Sequence, residues 1–278
     1  MFSILCLPLL AAALAAVPCG VVGSYCVSRH NTYAAGALSH ACFAGLGLAR
    51  YLQVAHGCAW ATPTLGALAA AVAAALFLAL SPAARGARAD GALSALWAVG
   101  MALGLAFLAA TPGYQGSLVD YLFGSILFVS RGDLAEMAAF DAALLAALLL
   151  FRRGLLAVAF NERLAALRGA PVRLHACVLS LLTALAVVTL VRAVGIVLVV
   201  ALLALPALAA RPFVRRLAPM MLLSGLLAFL CLAAGLLLAW RLDCQPSAPA
   251  VLVAALLAAG ARLLSSRIGL FAPTTEQP

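Results

Sequence analysis

FRRGLLAVAFNERLAALRGAPVRLH, residues 151–175, is the one long polar island in this chain, and uninterrupted apolar sequence lies on both sides of it. It carries Arg152, Arg153, Arg163, Arg168 and Arg173, offset only by Glu162. Its centre is punctuated at both ends. Asn161 suits an N-cap, because its side-chain oxygen accepts from the free N–H groups of a first helical turn. Gly169 suits the left-handed position that closes a helix, and Pro171 forbids continuation. A short capped helix between two long apolar segments has the character of a handle for another protein.

What flanks the island settles the broad class. Of 278 residues, 67% are hydrophobic and 9% charged, and the mean hydropathy is +1.18. Long runs with so few charges indicate several membrane-spanning helices in one integral domain. The net charge of +9 does not point to nucleic acid, because the arginines lie between hydrophobic runs and form no single basic face. Their placement sets membrane topology instead.

All 17 basic residues are arginine. A P-loop needs a lysine to reach the β- and γ-phosphates, so this chain has no such nucleotide site. If ATP drives it, the ATPase is a separate chain. The eight cysteines show no CxxC pair and no metal-knuckle spacing. No HExxH, DDxxD or GxSxG motif occurs, so the chain is not expected to be an enzyme.

Spans are expected at 4–28, 34–55, 60–81, 91–110, 134–151, 176–191, 194–210, 217–240 and 248–265. The first reads as a retained span with its N-terminus outside, since its first arginine, Arg29, follows it. The apolar piece 118–130 is too short to cross a hydrocarbon core of ~30 Å and is expected to be re-entrant or interfacial. The polar tail 271–278 closes the chain. With the island inside, thirteen arginines fall on the inner side and only Arg50, Arg131, Arg192 and Arg241 on the outer, the positive-inside pattern. The expected fold is an all-α, polytopic bundle of eight or nine transmembrane helices, forming one domain over residues 1–270.

Three residues inside the spans stand out. His40 lies among Ala35, Gly36, Ser39, Ala41 and Gly45, small residues that let neighbouring helices approach. It is either a ligand on a pathway or a packing histidine bonded to a neighbour's backbone. Asp141 should face protein or water, as the partner of a cation such as Arg192 or as a cation site in a conduit. Pro206 interrupts the backbone bonding of its span, which suits a structural kink or a gate.

Four stretches, in order, resemble the zinc/manganese/iron-type ABC transporter permeases: TYAAGALSHACFAGLGLA (32–49), YLFGSILFVSRGDL (121–134), FNERLAALRGAPV (160–172) and RAVGIVLVVALLALPALAAR (192–211). The resemblance implies a dimer of permeases, identical or different, with two cytoplasmic ABC ATPases and an extracytoplasmic metal-binding protein. It implies a bacterial cytoplasmic (inner) membrane and zinc, manganese or iron as the transported substrate, with ATP bound on the partner subunit. Asn161, Glu162, Ala165 and Gly169 would form the ATPase-coupling helix. Permeases for iron chelates or a cobalamin-like cofactor share this general architecture, and an ATP-independent secondary transporter is the alternative of another class. Two positions depart from the family pattern: Gly36 and Ser125 stand where the family usually or often has Asp. Without those carboxylates, His40 with Cys42 would suit zinc better than manganese.

Overall fold

The computed structural model describes residues 2–81, 89–113, 124, 126–160 and 162–268. Helices α1 (Phe2–Ser28), α2 (Thr32–Ala55), α3 (Pro63–Leu80) and α4 (Ala89–Ala110) come first, and a single 3₁₀ turn, Ile126–Phe128, follows. Then come α5 (Arg131–Phe160), the short α6 (Glu162–Leu167), α7 (Val172–Val194), α8 (Ile196–Ala210), a second 3₁₀ turn (Arg211–Phe213), α9 (Leu217–Leu242) and α10 (Ser247–Ile268). No strand occurs among the described residues. Eight of the helices are long and apolar enough to cross a membrane. The ninth long helix, α2, carries His40 and Arg50 and falls outside that set, yet it packs in the middle of the bundle against α3 and α4. An all-helical solution follows from the solvent, since hydrocarbon offers no partner to a backbone N–H or C=O and each span must satisfy its own.

Most boundaries fall within a few residues of those expected. The exception is α5, which runs unbroken for 30 residues and carries Arg152 and Arg153 within its last three turns. The expected end at residue 151 was drawn where charge begins, but charge does not end a helix. Only a proline or a capping geometry does, and none lies between 131 and 160. At 1.5 Å per residue α5 is about 45 Å long, more than the ~30 Å hydrocarbon core requires.

Of the short apolar piece, Gly124 and Ile126 onward are described. Ile126 and Val129 are buried, and the turn between them packs on α1. Gly124 has φ +66° and lies so close to Val194 and Gly195 that a Cβ there would sit 2.3 Å from the Gly195 amide nitrogen. The rest of that piece, including Ser125, lies outside the described residues, as do Arg85, Arg88, Asn161 and the tail. All eight cysteines are free thiols. Pro206 is accommodated inside α8, which continues as one helix to Ala210.

Small residues set the spacing between helices. Gly45 of α2 and Gly66 of α3 face each other, with a Cβ on either one coming within 2.3 Å of the other's carbonyl oxygen. Gly100 of α4 lies against the backbone of His40, and Gly104 against the ring of Phe43. Such close backbone approach is how helices associate where no hydrophobic effect separates protein from lipid. Gly45→Val should force α2 and α3 apart at a cost of about 3 kcal/mol. The check is the unfolding midpoint of the purified protein in detergent, against Gly91→Ala, which meets nothing within 4 Å and should be neutral.

Candidate functional site

His40 sits a little over two turns into α2 and is partly exposed. Its imidazole stacks on the indole of Trp97 from α4, with ring centroids 4.8 Å apart and planes inclined by 27°. Nδ1 is buried and has no hydrogen-bond partner. One turn earlier on the same face is Gly36, where a Cβ would lie 2.4 Å from Cζ3 of Trp97. The indole therefore covers both positions at once. The indole also lines an open groove of about 500 Å³, together with Tyr33, Asp90, Leu93, Ser94 and Ala98. Cys42 is two residues beyond His40, roughly 200° around the helix, and is completely buried. The helix thus turns the thiol away from the imidazole. Among the described residues no three His, Cys, Asp or Glu side chains converge as a metal-holding group.

The expected Asp141–Arg192 ion pair does not form. Asp141 is 4% exposed and neither carboxylate oxygen has a partner. Arg192 lies at the far end of α7, level with the first turn of α5, about 12 Å from Asp141 along the helix axis. It pairs there with Asp133 and Glu136, and also donates to the hydroxyl of Thr64 at the start of α3. Those two acids therefore help clamp three helix ends together. Ser130 fixes the acidic side of the clamp. Its amide and Oγ donate to Asp133 Oδ2 at 3.0 and 2.7 Å, and the Asp133 amide donates back to Oγ at 3.2 Å. This reciprocal capping box is written in the sequence as Ser130-Arg-Gly-Asp133. Beside it is a cavity of about 170 Å³ lined by Asp133, Glu136, Met137, Phe140, Thr189 and Arg192.

At the opposite end, α6 is stopped as its sequence demands. Gly169 has φ +76°, its amide donates to Ala166 O at 3.0 Å, and the Ala170 amide donates to Ala165 O at 3.0 Å. These two bonds make the Schellman arrangement. Ala165 is buried, whereas Phe160, Leu164 and Leu167 are 73%, 46% and 85% exposed. Glu162 pairs with Arg29 at the end of α1, at 2.9 Å. Asn161, the expected cap, lies outside the described residues. The two long helices around α6 are zipped where they leave it: the His175 ring lies against Gly154 and meets Phe151 edge-on at 6.4 Å. Next to the Arg29–Glu162 pair opens a cavity of about 580 Å³, lined among others by Tyr25, His30, Asp90 and Ser180.

Trp97 is the residue that sequence reasoning passed over, and no local signal marked it, because an indole in an apolar span reads as ordinary packing. The capping box at Ser130–Asp133 did carry a signal, and it placed the helix start that anchors the Arg192 clamp.

A bundle of eight helices long and apolar enough to cross a membrane, with an ion-paired clamp at one end and an exposed capped helix at the other, is a multi-pass membrane protein. The pattern of the ABC 3 transport family matches residues 1–265, and the chain belongs to that family. A protein of Chlamydia pneumoniae described as "Probable metal transport system membrane protein" is 33% identical over 238 residues, covering 85% of this chain and 81% of its own. The manganese transport system membrane protein MntC of Halalkalibacterium halodurans is 31% identical over 261 residues, 94% of this chain and 87% of that one. Among solved structures, PsaBC from Streptococcus pneumoniae in complex with Fab superposes with a TM-score of 0.80 at 27% identity, covering 93% of this chain and 90% of that chain.

The Arg192 clamp is partly solvated, its side chains being between 30% and 51% exposed, so each pair contributes modestly. Arg192→Met should lower stability by about 1 kcal/mol, with the deficit shrinking in high salt as the pairs are screened. Unfolding midpoints of the two proteins at low and high ionic strength check this.

Proposed function

We propose that this chain is the membrane-spanning permease subunit of an ATP-driven importer for a divalent metal cation, zinc, manganese or iron. Two permease copies form the pathway in a bacterial cytoplasmic membrane, an extracytoplasmic binding protein delivers the ion, and a separate cytoplasmic ABC ATPase supplies the energy. The observation that carries this reading is membership of the ABC 3 transport family over nearly the whole chain, joined to a capped, exposed helix set between two long spans. Relatives named for metal or manganese transport support the substrate class. The absence of lysine supports a motor on another chain.

In this reading α6 is the coupling element. The exposed apolar side chains of Phe160, Leu164 and Leu167 form the surface that an ATPase groove would cover. Ala165 faces inward against the bundle, and Glu162 links the helix to Arg29 of α1, so a push on α6 is delivered to α1 as well as to α5 and α7. His40 is the ligand that a passing cation meets in the membrane. It offers a nitrogen donor, its Nδ1 being unpartnered, with the Trp97 ring stacked on it.

Three measurements test the proposal. In the reconstituted complex of permease, ATPase and binding protein, ATPase activity tested ion by ion should rise with one or two of the three metals and not with magnesium or calcium. His40→Ala should reduce transport of that ion by at least tenfold while leaving basal ATPase activity within twofold; full-rate transport would remove His40 from the pathway. Gly169→Val, which forces a β-branched residue into a left-handed conformation costing about 1–3 kcal/mol, should leave membrane insertion intact and uncouple ATP hydrolysis from transport. Normal coupling in that variant would show that α6 is not the handle.

A further inference from the structure

Trp97 does more to His40 than pack beside it. Three observations converge on this one side chain. Its ring lies face to face with the imidazole, at 4.8 Å and 27°. It fills the notch over Gly36 so fully that any side chain at position 36 would begin 2.4 Å from the indole. It also lines the groove of about 500 Å³ that Tyr33, Asp90, Leu93 and Ser94 share, a groove whose lining includes Trp97 but not His40.

Each observation has a chemical consequence. Position 36 is one turn before His40 on the same helical face, the place from which α2 could offer a second ligand to an ion on the imidazole. With the indole seated there, no carboxylate or amide can occupy it. Ser39, the nearest hydroxyl on α2, is fully buried and donates to its own Ala35 carbonyl at 2.8 Å. The ion's surroundings on this subunit are therefore one nitrogen and one π-face, without a side-chain oxygen from α2. An electron-rich indole face attracts positive charge, including the charge an imidazole acquires when it binds a cation. Nitrogen donors favour zinc and its nickel- and cobalt-like neighbours, whereas manganese, magnesium and calcium favour carboxylate and carbonyl oxygen.

We infer that Trp97 is the specificity-determining residue of the pathway, excluding oxygen ligands from the His40 site and biasing it toward imidazole-seeking ions over manganese. This deepens the reading of His40 as a pathway ligand and rests on it. Trp97 is a positioning residue in this scheme: it touches the ligand and shapes the space beside it, and does not itself bind the ion.

The chain has three tryptophans, so a full-length protein carrying Trp60→Phe and Trp240→Phe reports on Trp97 alone. Cobalt(II), a paramagnetic probe of the imidazole-seeking class, should quench its emission saturably and at a concentration at least tenfold below that needed for manganese(II). His40→Ala in the same background should abolish the quenching. In the assembled complex, Gly36→Asp combined with Trp97→Ala should shift the zinc-to-manganese ratio of metal-stimulated ATPase activity at least tenfold toward manganese, while Trp97→Phe keeps it within threefold. Absence of His40-dependent quenching overturns the inference, and so does equal quenching by the two ions or an unchanged ratio in the folded double variant. If the double variant does not assemble, the quenching measurement decides. Should His40→Ala also retain full transport, the reading of His40 has failed; should His40→Ala be inactive while quenching or selectivity contradicts the prediction, only the role of Trp97 has failed.

Discussion

Close backbone approach through glycine is the constraint on which the rest of this bundle depends. In hydrocarbon an exposed leucine is no worse off than a buried one, so apolar residues alone give two helices little reason to meet. Contact must come from surfaces that fit. The Gly45–Gly66 pair brings α2 against α3, and Gly100 and Gly104 bring α4 against the backbone of His40 and the ring of Phe43. On the other side, Gly20 of α1 meets the Met221 carbonyl of α9, and Gly23 meets the Leu203 carbonyl of α8. These notches fix which faces point inward, and so they also fix where the few polar side chains end up. His40 is presented toward Trp97 because Gly100 lets α4 lie directly on the turn that carries it.

The helices were legible because their signal is additive: a run of twenty apolar residues has one reading whatever surrounds it. The end of α6 was legible too, since Gly169 and Pro171 act through local backbone geometry that no distant contact needs to complete. Pairings between helices were not legible. Arg192 is one cation the sequence offers to Asp141, but it finds Asp133 and Glu136 near its own helix end, and Asp141 is left buried with both oxygens unpartnered. The end of α5 was misread for a different reason. Charge marks where a helix leaves the membrane, and Arg152 and Arg153 do that, but the hydrogen-bond ladder continues as far as Phe160. The stacking of Trp97 over Gly36 and His40 depends on the register of two helices, which sequence spacing within either one does not contain.

The two ends of the molecule are built differently. At the Arg192 end, one guanidinium holds Asp133, Glu136 and Thr64, three groups from two other helices, on the rim of a small cavity. At the Glu162 end, a single exposed pair joins α6 to α1 beside a cavity more than three times larger. A bundle that is tightly tied at one end and loosely tied at the other opens more easily at the loose end, because local opening requires fewer buried contacts to break there.

That asymmetry meets α6 through α5. This one unbroken helix carries Asp133 of the clamp at its start and Asp141 in its interior, and it ends at Phe160, close to Glu162 of α6. At α6 it is joined to α7 by the packing of His175 against Phe151 and Gly154, and at the other end by Arg192. Two helices fastened to each other at both ends move as a pair, so a displacement applied to α6 cannot be absorbed by one of them alone. It either tilts the pair about the clamp or breaks the clamp. Tilting keeps both partners of Arg192 in place, whereas breaking the clamp gives up two partly solvated ion pairs, each of modest value. In the proposed reading of α6 as the coupling element, α5 is a lever about 45 Å long by the helical rise, with the Arg192 clamp near one end and α6 at the other.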